Sequence, residues 1–508
     1  LICQILHDFS NEGTTLSSYI QTMNLYELPI HTLHDKRIQG ETSTVEITEA
    51  ILKRIEVTED RLHSFLSLNT DKALSIAEAT DKKIQAGQDT HILEGMPIAI
   101  KDIFSTKGIE TTCGSKILKN YLPPFESTVT QRLKDAGSLF IGKTNMDEFA
   151  MGSSTENSAF GQTKNPWDLD RVPGGSSGGS AAAVSSGQAL AAIGTDTGGS
   201  IRQPASFTGI VGLKPTYGRV SRWGMVAFAS SFDQAGPMTK DVEDAALFLQ
   251  TIAGYDQKDA TSLTADLPIF TNALHQTVRG MKIGIIKELN LEDADPEIVR
   301  IFEENLKLLK EAGAEIVEVS IPNITHAVST YYVIAPSEAS SNLGRYDGVR
   351  YGHRAEDAES LVGMYEKSRD EGFGKEVKMR ILIGTFALSA GYYDAYYIKA
   401  QKIQNLIRSQ YAKAFDQVEV IASPVTPSPA FRIGEMIDDP IKMYLGDAFT
   451  IPANLAGIPG ISVPGGFAKG KLPVGFQLLA QHLDEENLFK VAHFFEQNLA
   501  LEKPTQAI

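Results

Sequence analysis

Apolar and polar positions along the chain switch repeatedly between the helical and the extended period. From Ser43, the run Thr44-Val45-Glu46-Ile47-Thr48-Glu49-Ala50-Ile51-Leu52 spaces apolar residues three and four apart and predicts a helix, with a second over Lys72 to Ala86. Met96 to Ile100 is a short apolar strand that ends abruptly in the charges of Lys101 and Asp102. A helix over Ser127 to Ala136 runs straight into a strand over Ser138 to Gly142. A small-residue helix follows over Gly178 to Ser186, then a strand over Ala189 to Thr195 and a helix over Ser200 to Phe207. The same habit recurs in strand Lys282 to Lys287, helix Pro296 to Ala312 and strand Glu315 to Ser320. A long helical region is expected over Glu376 to Phe415, then strands at Val418 to Ala422, Gly460 to Val463 and Val474 to Leu479, and a last helix over Glu485 to Gln497. Such alternation predicts a mixed or mainly parallel sheet with helices on both faces. No run of Pro, Ser or charge marks a linker and no fixed-period repeat occurs, so the chain reads as one large α/β domain with helical insertions.

Composition narrows the class. The 508 residues are 42% hydrophobic and 22% charged, which excludes disorder, collagen and coiled coil as descriptions of the whole. Lys and Arg number 47 against 63 Asp and Glu, a net charge of −16, so the chain is ill-suited to grip a polyphosphate or an anionic membrane by itself. Its two cysteines, Cys3 and Cys113, are too few for a disulfide framework and lack thiolate-metal spacing. No apolar run reaches the ~18 residues of a membrane helix, and a soluble cytoplasmic protein is expected. Residues 1–22 carry no clear period and read as a non-native or disordered leader, with Met23 as the natural start.

The sharpest local bias lies between Gly174 and Gly199, which holds eight glycines among 26 positions together with many serines and threonines. Glycines at this density let a backbone approach a ligand and present N–H groups to it. A flexible linker would not alternate, as this segment does, with the apolar runs Ala181 to Val184 and Leu190 to Ile193. Gly137 to Thr144 fits the phosphate-loop pattern, but a helix precedes it and its Ser138 to Ile141 is the expected strand, the reverse of a working loop. G-x-S-x-G occurs twice in overlap, around Ser176 and Ser177; a nucleophile elbow would need an acid and a histidine downstream, for which His275, His326, His353, His482 and His493 have the right order. No histidine lies between His91 and His275, and none pairs at i, i+4 with a glutamate in the manner of a zinc site. If the Ser-rich region holds a nucleophile, lysine is the other possible base, provided its site lowers the pKa by ~3 units, on the order of 4 kcal/mol. Lys101, at the end of its apolar strand, is the candidate; its alternative is a strand-end lysine reaching solvent.

Lys101, the run Gly174 to Ser180 and the run Gly194-Thr195-Asp196-Thr197-Gly198-Gly199-Ser200-Ile201-Arg202-Gln203-Pro204-Ala205, in this order and spacing, resemble the amidase signature family. The resemblance implies a Ser-cisSer-Lys triad: Ser200 as the acylated nucleophile, Ser176 as the bridging serine after a cis peptide from Gly175, and Lys101 as the base. It also implies an α/β amidase-signature fold over 23–508, with the signature core at about 96–240 and a helical insertion at about 325–415. Backbone N–H groups of Thr197, Gly198 and Gly199, at a helix N-terminus with Ser200, would receive the oxyanion.

Tyr331 to Gly352 and Arg380 to Gln401 resemble more narrowly the branch of that family that serves tRNA-dependent amidotransferases, a likeness running from about Met23 to the last helix. That resemblance implies a glutaminase that supplies ammonia to a partner, which converts Glu-tRNA(Gln) to Gln-tRNA(Gln). A glutamine site needs one fixed cation and one fixed anion for the α-carboxylate and α-ammonium. By resemblance these are Arg380 and Asp447, with Tyr331 alongside; by residue type alone Arg380 reads equally as a helix-face charge and Asp447 as a helix cap. The resemblance further implies a tRNA-binding B subunit, a small C subunit wrapping this chain, ATP and Mg used at the partner, and no cofactor or metal here. Cys113 lies outside every motif and reads as a small core or loop residue. The rival readings are a stand-alone amidase of the same family acting on a small amide, and a silent scaffold, against which the joint presence of Lys101, Ser176 and Ser200 speaks.

Overall fold

Ser43 opens the first long helix, Thr44–Leu62, with a capping box: its side chain accepts from the Glu46 N–H while the Glu46 carboxylate takes the Ser43 N–H. The computed structural model describes residues 25–437, 439–501 and 504–508; the expected leader over 1–22 and Met23 lie outside the described residues. Eleven strands among the described residues form one sheet: β1 Phe65–Leu68, β2 Pro97–Lys101, β3 Leu139–Thr144, β4 Ala191–Asp196, β5 Val211–Lys214, β6 Gln234–Thr239, β7 Lys282–Ile286, β8 Glu315–Val319, β9 Val420–Pro424, β10 Gly460–Ala468 and β11 Leu472–Ala480. Their spatial order is β1-β3-β2-β4-β6-β5-β10-β11-β9-β7-β8. The sheet is mixed, as the alternating pattern predicts: β2 runs parallel to β3 and β4, β7 runs parallel to β8 and β9, and the strands between are antiparallel.

Two central strands carry the chemistry. β2 is buried along its whole length between β3 and β4, which puts Lys101 opposite Thr144 in register and deep inside the sheet rather than at solvent. β4 ends at Asp196, beside the Ser200 turn. The helix Gly178–Ser185 is made of Gly, Ala and Ser with one Val, so its backbone can lie close over β4 and β2. The phosphate-loop pattern is β3 itself, and its Lys143 pairs with Asp102 at 3.0 Å inside the core. No helix of the described residues is long and apolar enough to cross a membrane.

The periodic reading gave neither β1, β5 nor the helix Val242–Ile252, and two further departures have a local cause. β6 contains Gly236-Pro237 in a central position between β4 and β5, a dipeptide that hides a strand from any pattern search. The helical region expected over Glu376 to Phe415 breaks after Leu388, where Ser389 turns extended, and resumes through a π-helical turn at Asp394–Ile398 into the helix Lys399–Phe415.

The helix Lys375–Leu388 crosses the helix Ala327–Asn342 at its Gly384, where an added Cβ would run into the carbonyl of Pro336. Gly384→Ala is therefore expected to cost about 1–3 kcal/mol through overpacking. Thermal unfolding checks this, and an unchanged melting temperature would mean that the two helices slide apart freely.

Candidate active site

β2 delivers the Lys101 amine into a nest of three hydroxyls: Nζ lies 2.8 Å from Ser176 Oγ, 2.8 Å from Ser177 Oγ and 2.7 Å from Thr195 Oγ1. The Gly175–Ser176 peptide is cis. Gln203 holds this loop, accepting the Gly175 N–H at 3.0 Å and donating to the Ser153 carbonyl at 2.8 Å. The two serines of the overlapping G-x-S-x-G patterns differ in what their protons can do. Ser177 donates its hydroxyl to the Thr195 carbonyl at 3.1 Å and so receives a hydrogen from the lysine. Ser176 meets only Lys101 among the described residues, so its proton is free to turn toward Nζ. A neutral amine has two N–H donors and one lone pair, which this arrangement satisfies.

Burial pulls the Lys101 amine down to about 7, against the pull of Asp147, Asp196 and Asp233 in the other direction. Each of those carboxylates is engaged elsewhere. Asp147 accepts the N–H groups of Thr155 at 2.9 Å and Asn157 at 3.1 Å. Asp233 accepts from Thr197 Oγ1 at 2.7 Å and from the amides of Phe228 and Ala229 at 2.9 and 3.1 Å. Lys101 therefore has no ion pair among the described residues, only hydroxyls.

Ser200 is 7% exposed, in the turn between β4 and the helix Arg202–Thr208. Asp196 stitches this turn together. Its Oδ1 accepts the Gly199 N–H at 2.9 Å and Asn454 Nδ2 at 2.8 Å, and Arg202 grips both carboxylate oxygens at 3.0 Å. Arg202 is completely buried and reaches on to Gln477 Oε1 at 2.7 Å. Burial works against ionised Asp196, but Arg202 outweighs it and holds the carboxyl at about 2. Thr450 Oγ1 donates to the Gly198 carbonyl at 2.7 Å. This corrects the sequence expectation in two ways. The helix starts at Arg202, beyond the Thr197–Ser200 turn, and the Gly199 amide is spent on Asp196. Among the described residues no such bond engages the amides of Thr197, Gly198 and Ser200.

On the other wall, Tyr331 is 4% exposed and stands so close to the turn that a Cβ on Gly198 would lie 2.8 Å from its ring. Arg380 is equally buried, ruling out an exposed helix-face charge; its Nε pairs with Glu376 at 2.7 Å and its guanidinium lies over the rings of Tyr332, Tyr444 and Phe228. Tyr444 stacks on Tyr332 and donates to Glu376 at 3.1 Å. Asp447 does not cap a helix with its side chain: the Thr450 and Ile451 amides go to its backbone carbonyl, and its carboxylate accepts from Ser153 Oγ at 2.5 Å. Burial pushes Asp447 up to about 7 in spite of Ser153 and Arg380. All the expected residues are thus buried, and no histidine of the described residues hydrogen-bonds to their side chains.

Sequence reasoning missed Thr195, Asp196, Arg202, Asp147, Asp233 and Glu376. Asp196 and Arg202 stand inside the recognised run and were the readable ones, six residues apart with opposite charge. Asp147 and Asp233 reach the site only through the fold. Cys113 is buried as expected, and burial raises its thiol well above the range of a nucleophile.

The Amidase family profile matches residues 46–489. The chain is 55% identical over 486 residues to the A subunit of glutamyl-tRNA(Gln) amidotransferase from Geotalea daltonii, covering 96% of this chain and all of that one. It is similar to the crystal structure of the A subunit of glutamyl-tRNA(Gln) amidotransferase from Thermotoga maritima, with a TM-score of 0.77 and 44% identity over 92% of this chain and 94% of that one. It is also similar to the native peptide amidase from Stenotrophomonas maltophilia, with a TM-score of 0.79 and 31% identity over 94% and 98% of the two chains.

The proton arrangement makes the two neighbouring serines unequal. Ser176→Ala is expected to lower kcat/KM for amide hydrolysis by ~10³-fold or more, and Ser177→Ala by no more than ~10²-fold. Equal losses would refute the assignment of Ser176 as the relay. In the unaltered chain kcat/KM for a neutral amide should rise with pH through about 7, as Lys101 loses its proton; a flat profile would mean that Lys101 stays charged.

Proposed function

The chain belongs to the amidase family, and from that premise we propose that it is the glutaminase subunit of a tRNA-dependent amidotransferase, using Ser200, Ser176 and Lys101 to release ammonia from glutamine. The observation that carries this reading is the pairing of a buried cation and a buried acid, Arg380 and Asp447, in the same cluster as the triad. A neutral small amide needs neither group. A free amino acid needs both, one for its carboxylate and one for its ammonium.

Neutral Lys101 draws a proton through Ser176 from Ser200, whose oxygen attacks the side-chain amide carbon of glutamine. The amides of Thr197, Gly198 and Ser200 receive the oxyanion, and the turn that holds them is already fixed by Asp196 and Thr450, so little reorganisation is left for the transition state. Ser176 returns the proton to the leaving nitrogen, ammonia departs, and water cleaves the acyl-Ser200 ester to give glutamate. The Arg380 Nε is already engaged by Glu376, so its terminal nitrogens are the ones offered to the substrate carboxylate. Asp447, near its own midpoint at neutral pH, ionises fully when an ammonium arrives beside it.

The ammonia serves a partner that converts Glu-tRNA(Gln) to Gln-tRNA(Gln) with ATP and Mg. A net charge of −16 leaves the tRNA to that partner. A B subunit holds the tRNA, a small C subunit wraps this chain, and the assembly works in the cytoplasm. The strong likeness to the Geotalea daltonii and Thermotoga maritima proteins supports this over a stand-alone amidase.

Arg380→Ala and Asp447→Asn are expected to raise KM for glutamine by ~10–100-fold, the worth of one charge-assisted hydrogen bond, while leaving hydrolysis of a plain neutral amide nearly unchanged. Asp447 is protonated below about 7, so KM for glutamine should climb as the pH falls, whereas KM for a neutral amide should not. Equal damage to both substrates would make the pair structural and sink the glutamine reading.

A further inference from the structure

Asp447 and the relay serine are joined by one unbroken line of hydrogen bonds. Ser153 Oγ donates to the Asp447 carboxylate at 2.5 Å, the Ser153 carbonyl accepts from Gln203 Nε2 at 2.8 Å, and Gln203 Oε1 accepts the Gly175 N–H at 3.0 Å, next in the chain to Ser176. Gln203 also belongs to the nucleophile turn: it stands three residues after Ser200, and its own N–H goes to the Gly199 carbonyl at 2.8 Å. We propose that Gln203 is a positioning residue that couples the substrate's α-ammonium at Asp447 to the Ser176–Lys101 relay, so that this ammonium raises the rate of the chemical step as well as the affinity.

The coupling rests on the glutaminase reading and deepens it. The residue type fits the task, because a neutral primary amide is a donor at one end and an acceptor at the other, and the backbone groups it bridges are a carbonyl and an N–H. A carboxylate could take only the N–H, and an apolar side chain neither. The fit is close: on Gly174, at a φ of +85°, an added Cβ would run into Gln203 Oε1 and lie 2.7 Å from Pro204 Cα, so the loop before Ser176 is pressed onto this side chain. Gln203 is 2% exposed, and with Ser153 and Asp447 it lines a cleft whose other walls include Phe207, Phe431 and Met443. In such surroundings a hydrogen bond is stronger than in water. Burial pushes Asp447 up to about 7, so it is only partly ionised at neutral pH. An arriving ammonium ionises it, and the Ser153 hydroxyl then donates to a full carboxylate, a stronger bond. Ser153 is held more firmly, and with it Gln203 and the loop that presents Ser176. Binding energy gained away from the scissile amide is thereby expressed in the transition state.

The test compares ammonia release from glutamine and from its deamino analogue, the monoamide of glutaric acid, by the full chain purified with its partner subunits. The two substrates differ only at the α-ammonium. The parent should turn over glutamine with a kcat at least about tenfold above that of the analogue, a share of the worth of one charge-assisted hydrogen bond. Gln203→Met removes both ends of the bridge. Ser153→Ala cuts the line at Asp447 but keeps the buried bridge, so it serves even where Gln203→Met fails to fold. Each variant should bring the kcat ratio to within about threefold of one, with glutamine still favoured in KM because Asp447 remains to bind the ammonium. A residue that only supported the fold would lower kcat for both substrates alike, so the parent's ratio kept in either variant would overturn the coupling and leave the glutaminase reading intact. So would a parent whose two kcat values are equal and whose preference for glutamine lies in KM alone. A parent that releases ammonia from simple amides but not from glutamine would overturn the reading and the coupling together.

Discussion

A primary amine held deep in the sheet without a counter-ion is the constraint on which the rest of this structure turns. Lowering a lysine from ~10.4 to about 7 amounts to roughly 4–5 kcal/mol of bias against its charged form. One unengaged carboxylate beside Lys101 would undo that bias by pairing with it. Asp147, Asp196 and Asp233 are all close enough to act on the amine, and each is occupied by amides, a hydroxyl or a guanidinium. Much of the buried polar network around the triad can be understood as keeping three acids away from one base.

On the proposed glutamine reading, the same buried region has to do the opposite around Arg380 and Asp447, where the substrate needs full charges. The two tasks are separated by giving each arginine its own acid. Arg202 is spent on Asp196 and serves the geometry of the Ser200 turn. Arg380 is only partly spent, on Glu376, and is cradled by aromatic faces that favour a cation without neutralising it. Tyr331 stands between, against Gly198 on one side and Tyr332 on the other, so the Ser200 turn and the wall that carries Arg380 are packed together through it.

Much of the fold was legible because its elements are long and periodic. The strands β2, β3, β7 and β8 and the helices Thr44–Leu62 and Pro296–Glu311 all answer to expected segments. Part of what escaped was broken by local chemistry, namely Gly-Pro inside β6 and the Ser-Ala-Gly interruption that splits one expected helical region in two; β1, β5 and the helix Val242–Ile252 escaped as well. In the site, the members of the triad were legible as residue types in a recognised order. The resemblance named Ser176 rather than Ser177, but the physical ground of that choice came only with the fold, because it depends on which hydroxyl finds the Thr195 carbonyl, a neighbour on another strand.

The sequence by itself determined the inventory: a lysine closing an apolar strand, a glycine- and serine-rich segment that leaves backbone bare, an Asp and an Arg six residues apart, and an acidic surface that leaves polyphosphates to others. These are properties of composition and spacing, and they survive any folding. Tertiary structure decided what each member does. Only the parallel pairing of β2 with β4 puts Lys101 against Thr195 and removes it from water, and only the packing of distant helices brings Arg380, Tyr331 and Asp447 to one wall. Desolvation and through-space charge set the working state of every group in the site, and both depend on neighbours that the chain order does not specify.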